Sequence, residues 1–379
     1  MKASIGPVTF FDPAPSTDPA TYAIALRCDA SPAIGVGHTV RCIALCEALQ
    51  RRGHHVTLWG DLGKINWLGE LVAAHKLTLL TAPAAAEQLA EVAATNFDAV
   101  VLDGYTLDPG AGAALRARGV RVLAMVDGNF GAVQQADVYV DQNLGARPHI
   151  GGPSGSTTLA GIDYALFRDS VLDRRRNVSP TQERQTREII SVLAVFGGLD
   201  SMVATPRVVS ALLATGFPIA VTVITERTET ATTLATLSLA AGQTLRTVPP
   251  DPDFAARAVE ADLVISASGS SVWELLVMGV PTAVLCVIDN QELSYRETVA
   301  AGVVTGLGRL WQFQAAEVTT RLQTLFADIN ARHVIAARSR RLVDGFGRER
   351  VADAVVPSTS TSYRRPDNTS TSTCESPHS

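Results

Sequence analysis

The sequence predicts an α/β protein built from two Rossmann-like domains that face each other across a cleft. Short apolar runs alternate with longer segments of helical periodicity, which is typical of a parallel sheet with helices on both faces. This alternation occurs in two series, separated by a stretch rich in glycine and proline. The chain has 379 residues and 46% of them are hydrophobic, which is enough for two cores of ordinary size.

The first series begins near Thr21. The run Tyr22–Cys28 is predicted as a strand, and the apolar spacing of 39–52 predicts a helix that Gly53 ends. The remaining predicted strands of this series are 55–59, 77–80, 98–102 and 121–126, and the remaining helices are 65–75, 84–94 and 110–118.

The alternation stops between 141 and 188, and we interpret this stretch as the passage between the domains, with some helix near 164–174. A second series follows it. Its predicted strands are 188–196, 219–224, 244–248, 262–266 and 282–287, and its predicted helices are 201–215, 229–241, 271–278, 291–301 and 314–329. A last helix, long and rich in arginine, is predicted over 332–355.

These patterns divide the chain into two domains, a linker, a final helix and two tails. The tail after Val356 is dominated by Ser, Thr and Pro, so it has almost nothing to bury and is predicted to be disordered. The predicted divisions are a disordered extension 1–20, a first domain 21–165, a linker 166–187, a second domain 188–330, a helix packing back on the domains 331–356, and a disordered tail 357–379.

Charge and composition disfavour several classes of partner. The net charge of −5 and the lack of long basic runs argue against nucleic acid. Neither a signal peptide nor a run of 18 apolar residues is found, so we expect no membrane span. The five cysteines form no C-x-x-C pair and are interpreted as buried apolar residues in a reducing cytoplasm. We expect a monomer without metal or cofactor.

The loop between the first strand and the first helix is the first candidate site. Gly35 and Gly37 allow a ligand to approach the backbone, and His38 stands where the helix begins. The positive end of the helix should keep this imidazole neutral, so that it could act as a general base near pH 7. A histidine that only caps or packs beside the turn would explain the spacing equally well.

A second loop of small residues joins a later strand to a helix. Ser268, Gly269, Ser270 and Ser271 offer N–H groups and hydroxyls at a helix N-terminus, where a phosphate would be favoured. Glu274 lies one turn into the helix and could accept hydrogen bonds from ribose hydroxyls. The alternative is a capped turn, in which a serine is the N-cap and the glutamate completes a capping box.

Two more segments of the second domain place polar or flexible residues after a strand. Gly197 and Gly198 follow the first strand of the domain, on the side expected to face the cleft. Asn290 and Gln291 follow a later strand, where their amides could hold sugar hydroxyls or cap a helix.

The first domain also carries acids just beyond its strands. Asp103, followed by Tyr105, ends one strand, and Asp127 comes after the next. Both acids are candidates to orient His38 or to bind substrate. The alternative is that they cap turns, as many aspartates at strand ends do.

Taken together, these segments resemble a known family. The matching pieces are 27–31 (RCDAS), 34–42 (IGVGHTVRC), 141–145 (DQNLG), 196–200 (FGGLD), 266–274 (SASGSSVWE), 278–281 (MGVP), 289–291 (DNQ) and 342–345 (LVDG). In order and spacing they resemble the UDP-2,4-diacetamido-2,4,6-trideoxy-β-L-altropyranose hydrolases of pseudaminic acid biosynthesis, to which spore-coat polysaccharide proteins are related. The resemblance covers about residues 22–355.

The resemblance implies the two-domain glycosyltransferase-B fold, with UDP bound mostly to the second domain. It also implies that water cleaves the anomeric C–O bond of a UDP-linked sugar, without a metal and with the loop histidine as base. The expected catalytic residues are His38, Asp29 and Asp103. The expected substrate-binding residues are Gly35, Gly37, Arg41, Tyr105, Asp127, Gly197, Gly198, Ser268, Gly269, Ser270, Ser271, Glu274, Asn290 and Gln291.

The chain departs from the family pattern mainly on the sugar side. Val36 stands where the family usually has Thr, Gly104 where it commonly has His, and Gly128 where it has Asp. In the phosphate loop, Ser268 replaces the first glycine of a pair. The substitutions remove polar groups from the side that would meet the sugar and leave most of the nucleotide side intact.

Three functions are therefore considered. A nucleotide-sugar hydrolase acting in surface polysaccharide or nonulosonic acid biosynthesis is the leading hypothesis. A glycosyltransferase differs only in that an acceptor hydroxyl replaces water, and fold alone does not separate the two. A non-catalytic nucleotide-sugar binder would need neither His38 nor Glu274. A dehydrogenase is disfavoured because the first loop lacks the third glycine of the dinucleotide fingerprint.

Overall fold

The computed structural model describes residues 21–31, 34–127, 131–177, 188–197, 203–250 and 253–356. Within these ranges the chain forms two parallel β-sheets, which confirms the predicted α/β architecture of two Rossmann-like domains. Both predicted disordered tails lie outside the described residues.

The first sheet has seven strands in the order β3-β2-β1-β4-β5-β6-β7. Its strands are β1 Ala23–Cys28, β2 His55–Trp59, β3 Thr78–Leu80, β4 Ala99–Asp103, β5 Arg121–Met125, β6 Val138–Asp141 and β7 Thr157–Ala160. Its helices are α1 Gly37–Arg51, α2 Asn66–Ala74, α3 Ala86–Asn96 and α4 Ala111–Ala117. Alternate residues of β1 pack into different cores, Ile24 and Leu26 beneath α1 and Ala25 on the opposite face, so the sheet is buried on both sides.

The second sheet has six strands in the order β10-β9-β8-β11-β12-β13. Its strands are β8 Ile190–Val195, β9 Ile219–Ile224, β10 Thr244–Val248, β11 Leu263–Ala267, β12 Thr282–Cys286 and β13 Thr305–Arg309. The helices from the passage onward are α5 Asp169–Asn177, α6 Ala204–Leu213, α7 Thr228–Ala235, α8 Phe254–Glu260, α9 Ser271–Met278, α10 Glu292–Ala300, α11 Ala315–Ala327, α12 Ile329–Leu342 and α13 Gly347–Val355.

The passage between the domains contains more regular structure than the sequence predicted. Strand β6, which ends where the passage begins, and strand β7 within the passage extend the first sheet; they pair in parallel from Val138 with Thr157 to Asp141 with Ala160. Strand β7 escaped prediction because it is a short, threonine-containing edge strand flanked by glycines. Helix α5 packs against α8 and α9 of the second domain. Helix α8 and strand β13 were also not predicted.

The prediction of one long final helix over 332–355 is wrong. The chain forms α12 and α13, separated at 343–346, where Gly345 has a φ of +86° that a helix does not allow. The Asp344 carboxylate accepts a hydrogen bond from the Phe346 N–H at 2.9 Å, which fixes the turn. The break redirects the chain: α12 packs on α9, and α13 packs on α1 of the first domain.

The segment that leads from the first sheet to α5 is held by a buried ionic cluster. Glu47 of α1 accepts hydrogen bonds from the Asp169 N–H at 2.6 Å and from Nη1 of Arg348 on α13 at 2.7 Å. The same Nη1 donates to the Phe167 carbonyl at 2.9 Å, and Nη2 of Arg348 reaches the Asp169 carboxylate at 2.6 Å. His75 Nε2 lies 3.3 Å from Glu47 Oε1. The cluster thus joins α1, α13 and the connecting segment.

The stability of the protein should depend on the protonation of Glu47. Burial raises the pKa of Glu47 to about 7, although the Asp169 N–H, Arg348 and Arg168 oppose the rise. The folded protein therefore binds this proton more tightly than the unfolded chain, so stability falls as pH rises from about 4.5 to about 7. Relative to Glu47→Gln, the wild-type free energy of unfolding should fall by up to about 3 kcal/mol over this range.

Urea unfolding of both proteins at a series of pH values measures this difference. The same comparison in a His75→Gln background removes the titration of the neighbouring imidazole. Parallel curves of unfolding free energy against pH for wild type and Glu47→Gln would contradict the assignment.

Four of the five cysteines lie in the described part of the chain. Cys28, Cys42, Cys46 and Cys286 are free and buried, as their interpretation as small apolar residues requires. Among the described residues, we find no helix that combines the length and the apolar character needed to cross a membrane.

Candidate functional site

The loop after β1 turns tightly and delivers α1 to the carboxyl edge of the first sheet. The Gly35 N–H donates to the Ser31 carbonyl at 2.8 Å, and the Ile34 N–H donates to the Ser31 hydroxyl at 3.1 Å. Gly35 adopts a φ of +87°, a left-handed conformation that glycine adopts without strain. Helix α1 then begins at Gly37, and His38 lies in its first turn, as the sequence predicted.

His38, Asp103 and Arg41 form a buried polar cluster beneath this loop. Strand β4 ends at Asp103, which is in register with Cys28 at the end of β1, so its carboxylate lies under the start of α1. His38 Nδ1 is 2.6 Å from Asp103 Oδ1. Arg41 Nε donates to Asp103 Oδ2 at 2.5 Å, and its Nη2 donates to Oδ1. The carboxylate therefore binds the imidazole and the guanidinium together.

The contacts of the imidazole define its tautomer. Arg41 Nη2 lies 3.0 Å from His38 Nδ1, but the nearer Asp103 oxygen is an acceptor and favours a proton on Nδ1. With Nδ1–H donating to the carboxylate, the other ring nitrogen, Nε2, carries the lone pair. His38 also lines a cavity between the domains. This is the arrangement that a general base requires.

Charge compensation holds Asp103 ionised. Burial alone raises the pKa of this carboxyl, but Arg41 and His38 outweigh burial and hold the pKa well below its ordinary value. Burial likewise lowers the pKa of Arg41, and Asp103 more than restores it. The cluster therefore contains a carboxylate and a guanidinium that remain charged throughout the physiological pH range.

A second polar group of the first domain forms the adjoining wall of the cavity. The Tyr105 ring packs edge-on against His38 with centroids 4.3 Å apart, and its hydroxyl donates to Asp127 at 2.9 Å. The Asn143 side-chain amide donates to Asp127 at 3.1 Å and to Asp141 at 2.9 Å. Burial and the neighbouring Asp127 raise the pKa of Tyr105, so its hydroxyl stays protonated. These residues follow β4, β5 and β6, which are adjacent in the sheet.

The opposite wall comes from the second domain. It consists of the loop between β11 and α9 and of the segment that follows β12. Strands β11 and β12 are neighbours in the second sheet. Ser268 donates from Oγ to Ser294 Oγ at 3.3 Å, and Gln291 Oε1 accepts the Val287 N–H at 3.0 Å. The second-domain residues that line the cavity are Ser268, Gly269, Ser270, Ile288, Asn290, Gln291 and Ser294.

The capping box, which the sequence left open as the alternative to a phosphate-binding loop, does not form at α9. Ser270 is the N-cap of α9 but, within the described residues, makes no side-chain cap hydrogen bond. The Ser271 hydroxyl lies 3.5 Å from that of Ser266. Glu274, which would complete the box, lies 3.5 Å from Arg168 instead. The Ser270 hydroxyl is therefore available to the cavity that the loop lines.

The two walls enclose a cavity of about 160 Å³ and come into direct proximity at its edge. A Cβ atom placed on Gly37 would lie 2.9 Å from the Ser270 Oγ across the cleft. A side chain at position 37 would therefore displace the Ser270 hydroxyl from its place beside the start of α1.

Gly37→Ala should separate stability from function. Alanine is the better helix former, so the free energy of unfolding should stay level or rise by up to about 1 kcal/mol. If the cavity is the active site, kcat/KM should fall about tenfold because the Ser270 hydroxyl must leave its position. In a Ser270→Ala background, which removes the clashing atom, the same substitution should change kcat/KM less than twofold. Equal losses in both backgrounds would show that this contact is not the cause.

Several predicted site residues lie outside the cavity lining. Asp29 accepts hydrogen bonds from Arg27 at 2.6 Å and from the Asp61 N–H at 2.9 Å, so its carboxylate is used to fix the turn after β2. Gly197 follows β8 at the carboxyl edge of the second sheet, and Gly198 lies outside the described residues. The Glu274 carboxylate is directed to Arg168, beside the loop.

The structure also adds residues that the sequence did not single out. Gln142 and Asn143 line the cavity directly after β6, and Ser294 lines it from α10. The first two lie within the resemblance segment 141–145, which the sequence assigned to the passage between domains rather than to the site. The sequence pattern therefore included these two residues, but it was assigned to the passage between the domains instead of to the site.

No cluster of three or more histidine, cysteine, aspartate or glutamate side chains suited to a metal ion occurs among the described residues. The donors that line the cavity are hydroxyls, amides, one imidazole and one guanidinium, with the Asp127 carboxylate as an acceptor.

Comparison with known proteins supports the fold. No protein-family model matches the chain, and no curated protein matches it. Among solved structures it is similar to Acinetobacter baumannii MurG, with a TM-score of 0.62 and 18% identity over 88% of this chain and 99% of that one. It is also similar to Staphylococcus aureus MnaA in a structure with UDP, with a TM-score of 0.61 and 15% identity over 88% and 96%.

A third similar structure is a putative UDP-N-acetylglucosamine 2-epimerase from Listeria monocytogenes, with a TM-score of 0.61 and 14% identity over 89% of this chain and 96% of that one. At these identities the likeness concerns the fold. The chain thus has the glycosyltransferase-B fold, with two parallel-sheet domains that share a cavity in the cleft between them.

Proposed function

We propose that the protein is a nucleotide-sugar hydrolase that cleaves the anomeric C–O bond of a UDP-linked amino or deoxy sugar. The observation that carries this proposal is His38, whose Nδ1 is bound to Asp103 while the imidazole faces a cavity between the two domains. The family resemblance of the sequence gives this histidine the same role. The reaction would belong to surface polysaccharide or nonulosonic acid biosynthesis in the cytoplasm.

In the proposed step, His38 Nε2 removes a proton from water as the water oxygen bonds to the anomeric carbon. The bond from that carbon to the diphosphate oxygen breaks, and its electron pair leaves with UDP. The imidazolium that forms is stabilised by the Asp103 carboxylate, as in other histidine–carboxylate pairs. Arg41 keeps Asp103 ionised and so supports the base, and because it also lines the cavity it keeps its expected role in binding substrate.

The leaving UDP would be held by the second domain. The N-terminus of α9 and the hydroxyls of Ser268 and Ser270 favour a diphosphate because helix N–H groups and the helix dipole converge there. Glu274 would accept hydrogen bonds from the ribose. The fold likeness to MnaA, which has been solved with UDP, supports UDP as the nucleotide.

The sugar would lie against the first-domain wall. Tyr105, Asp127 and Asn143 offer a linked set of hydroxyl, carboxylate and amide groups beside the base. The family's histidine is replaced here by Gly104, so this wall is less polar than in the relatives that the sequence resembles. We therefore propose a sugar that differs from theirs in the substituents facing this wall.

Transfer to an acceptor hydroxyl is the second candidate. It is favoured by the similarity of the fold to A. baumannii MurG and to a glycotransferase of kitacinnamycin, the latter with a TM-score of 0.60 and 15% identity. The same base would then deprotonate an alcohol instead of water. The two functions differ in the nucleophile that attacks the anomeric carbon, which is water in hydrolysis and an acceptor hydroxyl in transfer.

One experiment separates these functions. The protein is incubated with a panel of UDP-, GDP- and CMP-sugars in H₂¹⁸O, with and without candidate acceptors, and the products are analysed by mass spectrometry. A hydrolase that breaks the anomeric C–O bond releases UDP without acceptor, and this UDP contains no ¹⁸O. A transferase releases UDP slowly until an acceptor is added. UDP binding without turnover of any donor would contradict both and indicate a binding protein.

A further inference from the structure

Arg168 is a buried arginine in the segment that joins the two domains. Its side chain is 5% exposed, and its Nη2 lies 3.5 Å from Oε1 of Glu274, whose side chain is 12% exposed. Glu274 stands in the first turn of α9, directly after the loop Ser268–Ser271. Opposite charges at this distance in a buried environment attract each other strongly, so the guanidinium favours positions of the carboxylate that lie close to it.

The backbone on both sides of Arg168 is anchored to the first domain. Glu47 of α1 accepts the Asp169 N–H at 2.6 Å, and Gln142 accepts the Leu166 N–H at 3.2 Å. Helix α1 carries the candidate base at its N-terminus, and Gln142 lines the cavity. The segment is therefore attached to the two elements that build the catalytic wall, while its arginine reaches into the other domain.

We propose that Arg168 is a positioning residue for the nucleotide, which acts through Glu274. By this ion pair it holds the carboxylate where ribose hydroxyls can donate to it, and its anchored backbone sets that position relative to the first domain. The proposal rests on the proposed function, in which Glu274 accepts hydrogen bonds from the ribose. It makes nucleotide affinity depend on a residue that lies outside the cavity.

A double-mutant cycle on UDP affinity tests the proposal. UDP binding to the full chain is measured by calorimetry for wild type, Arg168→Gln, Glu274→Gln and the double variant. Arg168→Gln should weaken UDP about tenfold in the wild-type background and less than twofold in the Glu274→Gln background. Arg174→Gln, which removes a partly exposed arginine of α5 paired with Asp253 at 3.7 Å, is the control and should leave affinity unchanged.

The outcomes are distinct. If wild type binds UDP and Arg168→Gln weakens it equally in both backgrounds, or not at all, the positioning role is wrong and the proposed function stands. If the wild-type protein binds no UDP, the positioning role of Arg168 and the proposed function are both contradicted. Should Arg168→Gln not fold, Arg168→Met fills the buried space and is carried through the same cycle, with the same results deciding.

A kinetic readout separates positioning from a general loss of structure. A residue that acts on nucleotide binding alone should raise the donor KM with kcat nearly unchanged, because ground state and transition state lose the same interaction. Arg168→Lys, which keeps the charge, should recover most of the affinity lost in Arg168→Gln. A fall in kcat with unaltered KM would overturn the proposal.

Discussion

Replacing His38 by alanine is expected to lower the turnover of the sugar donor by about 10²–10⁴-fold, the usual contribution of a positioned general base. The affinity for UDP should change little, because the loop that would hold the diphosphate belongs to the second domain. The expected loss therefore appears in kcat. Steady-state kinetics together with UDP calorimetry measure both quantities on the same preparation.

The control for this substitution is His55→Ala, which removes an exposed histidine at the start of β2. It should keep wild-type kcat, and its unfolding free energy should shift by no more than about 0.5 kcal/mol. If His38→Ala retained the wild-type rate, His38 would only cap or pack at the start of α1, the alternative that the sequence left open. A loss of UDP affinity equal to the loss of rate would instead indicate a misfolded cleft.

The elements of this fold were predictable wherever local sequence determines them. Helix α9 was predicted at its observed bounds because a small-residue loop precedes it and Gly279 follows it. Strand β1 was predicted because a strand buried on both faces is a continuous apolar run. Strand β7 was not, since an edge strand of mixed polarity between glycines resembles a loop. The break between α12 and α13 depends on one glycine within an otherwise helical pattern.

The candidate site was predictable as a set of loops, but the contacts within it were not. Sequence offered both Asp103 and Asp127 as partners of His38, and only strand register assigns the contact to Asp103. Arg41 was expected to bind substrate, and its pairing with Asp103, which the sequence did not predict, comes in addition to its place in the cavity lining. Glu47 and Arg348 lie 301 positions apart, and no local pattern predicts a buried ion pair over that separation.

Replacing Arg41 by methionine is expected to lower the free energy of unfolding by about 3–5 kcal/mol, the usual effect of removing one partner from a buried ion pair. The Asp103 side chain is 1% exposed and pairs with both His38 and Arg41. Without the guanidinium, the buried carboxylate still contacts the imidazole but no longer lies next to a permanent positive charge. The pKa of Asp103 should rise towards its ordinary value. Urea unfolding at pH 7 measures the change in stability.

The matched control for this prediction is Arg52→Met. Arg52 pairs with Asp353 at 2.6 Å at the surface, and such a pair contributes only about 0.2–1 kcal/mol.

The double variant Arg41→Met/Asp103→Leu removes both buried charges and should recover most of the lost stability while turnover stays low. Stability would recover while turnover would not, because Asp103 has two roles. It compensates the buried charge of Arg41 in the folded protein, and it orients His38 in the reaction. If the double variant were as unstable as Arg41→Met, packing of the arginine side chain rather than charge would hold α1 in place.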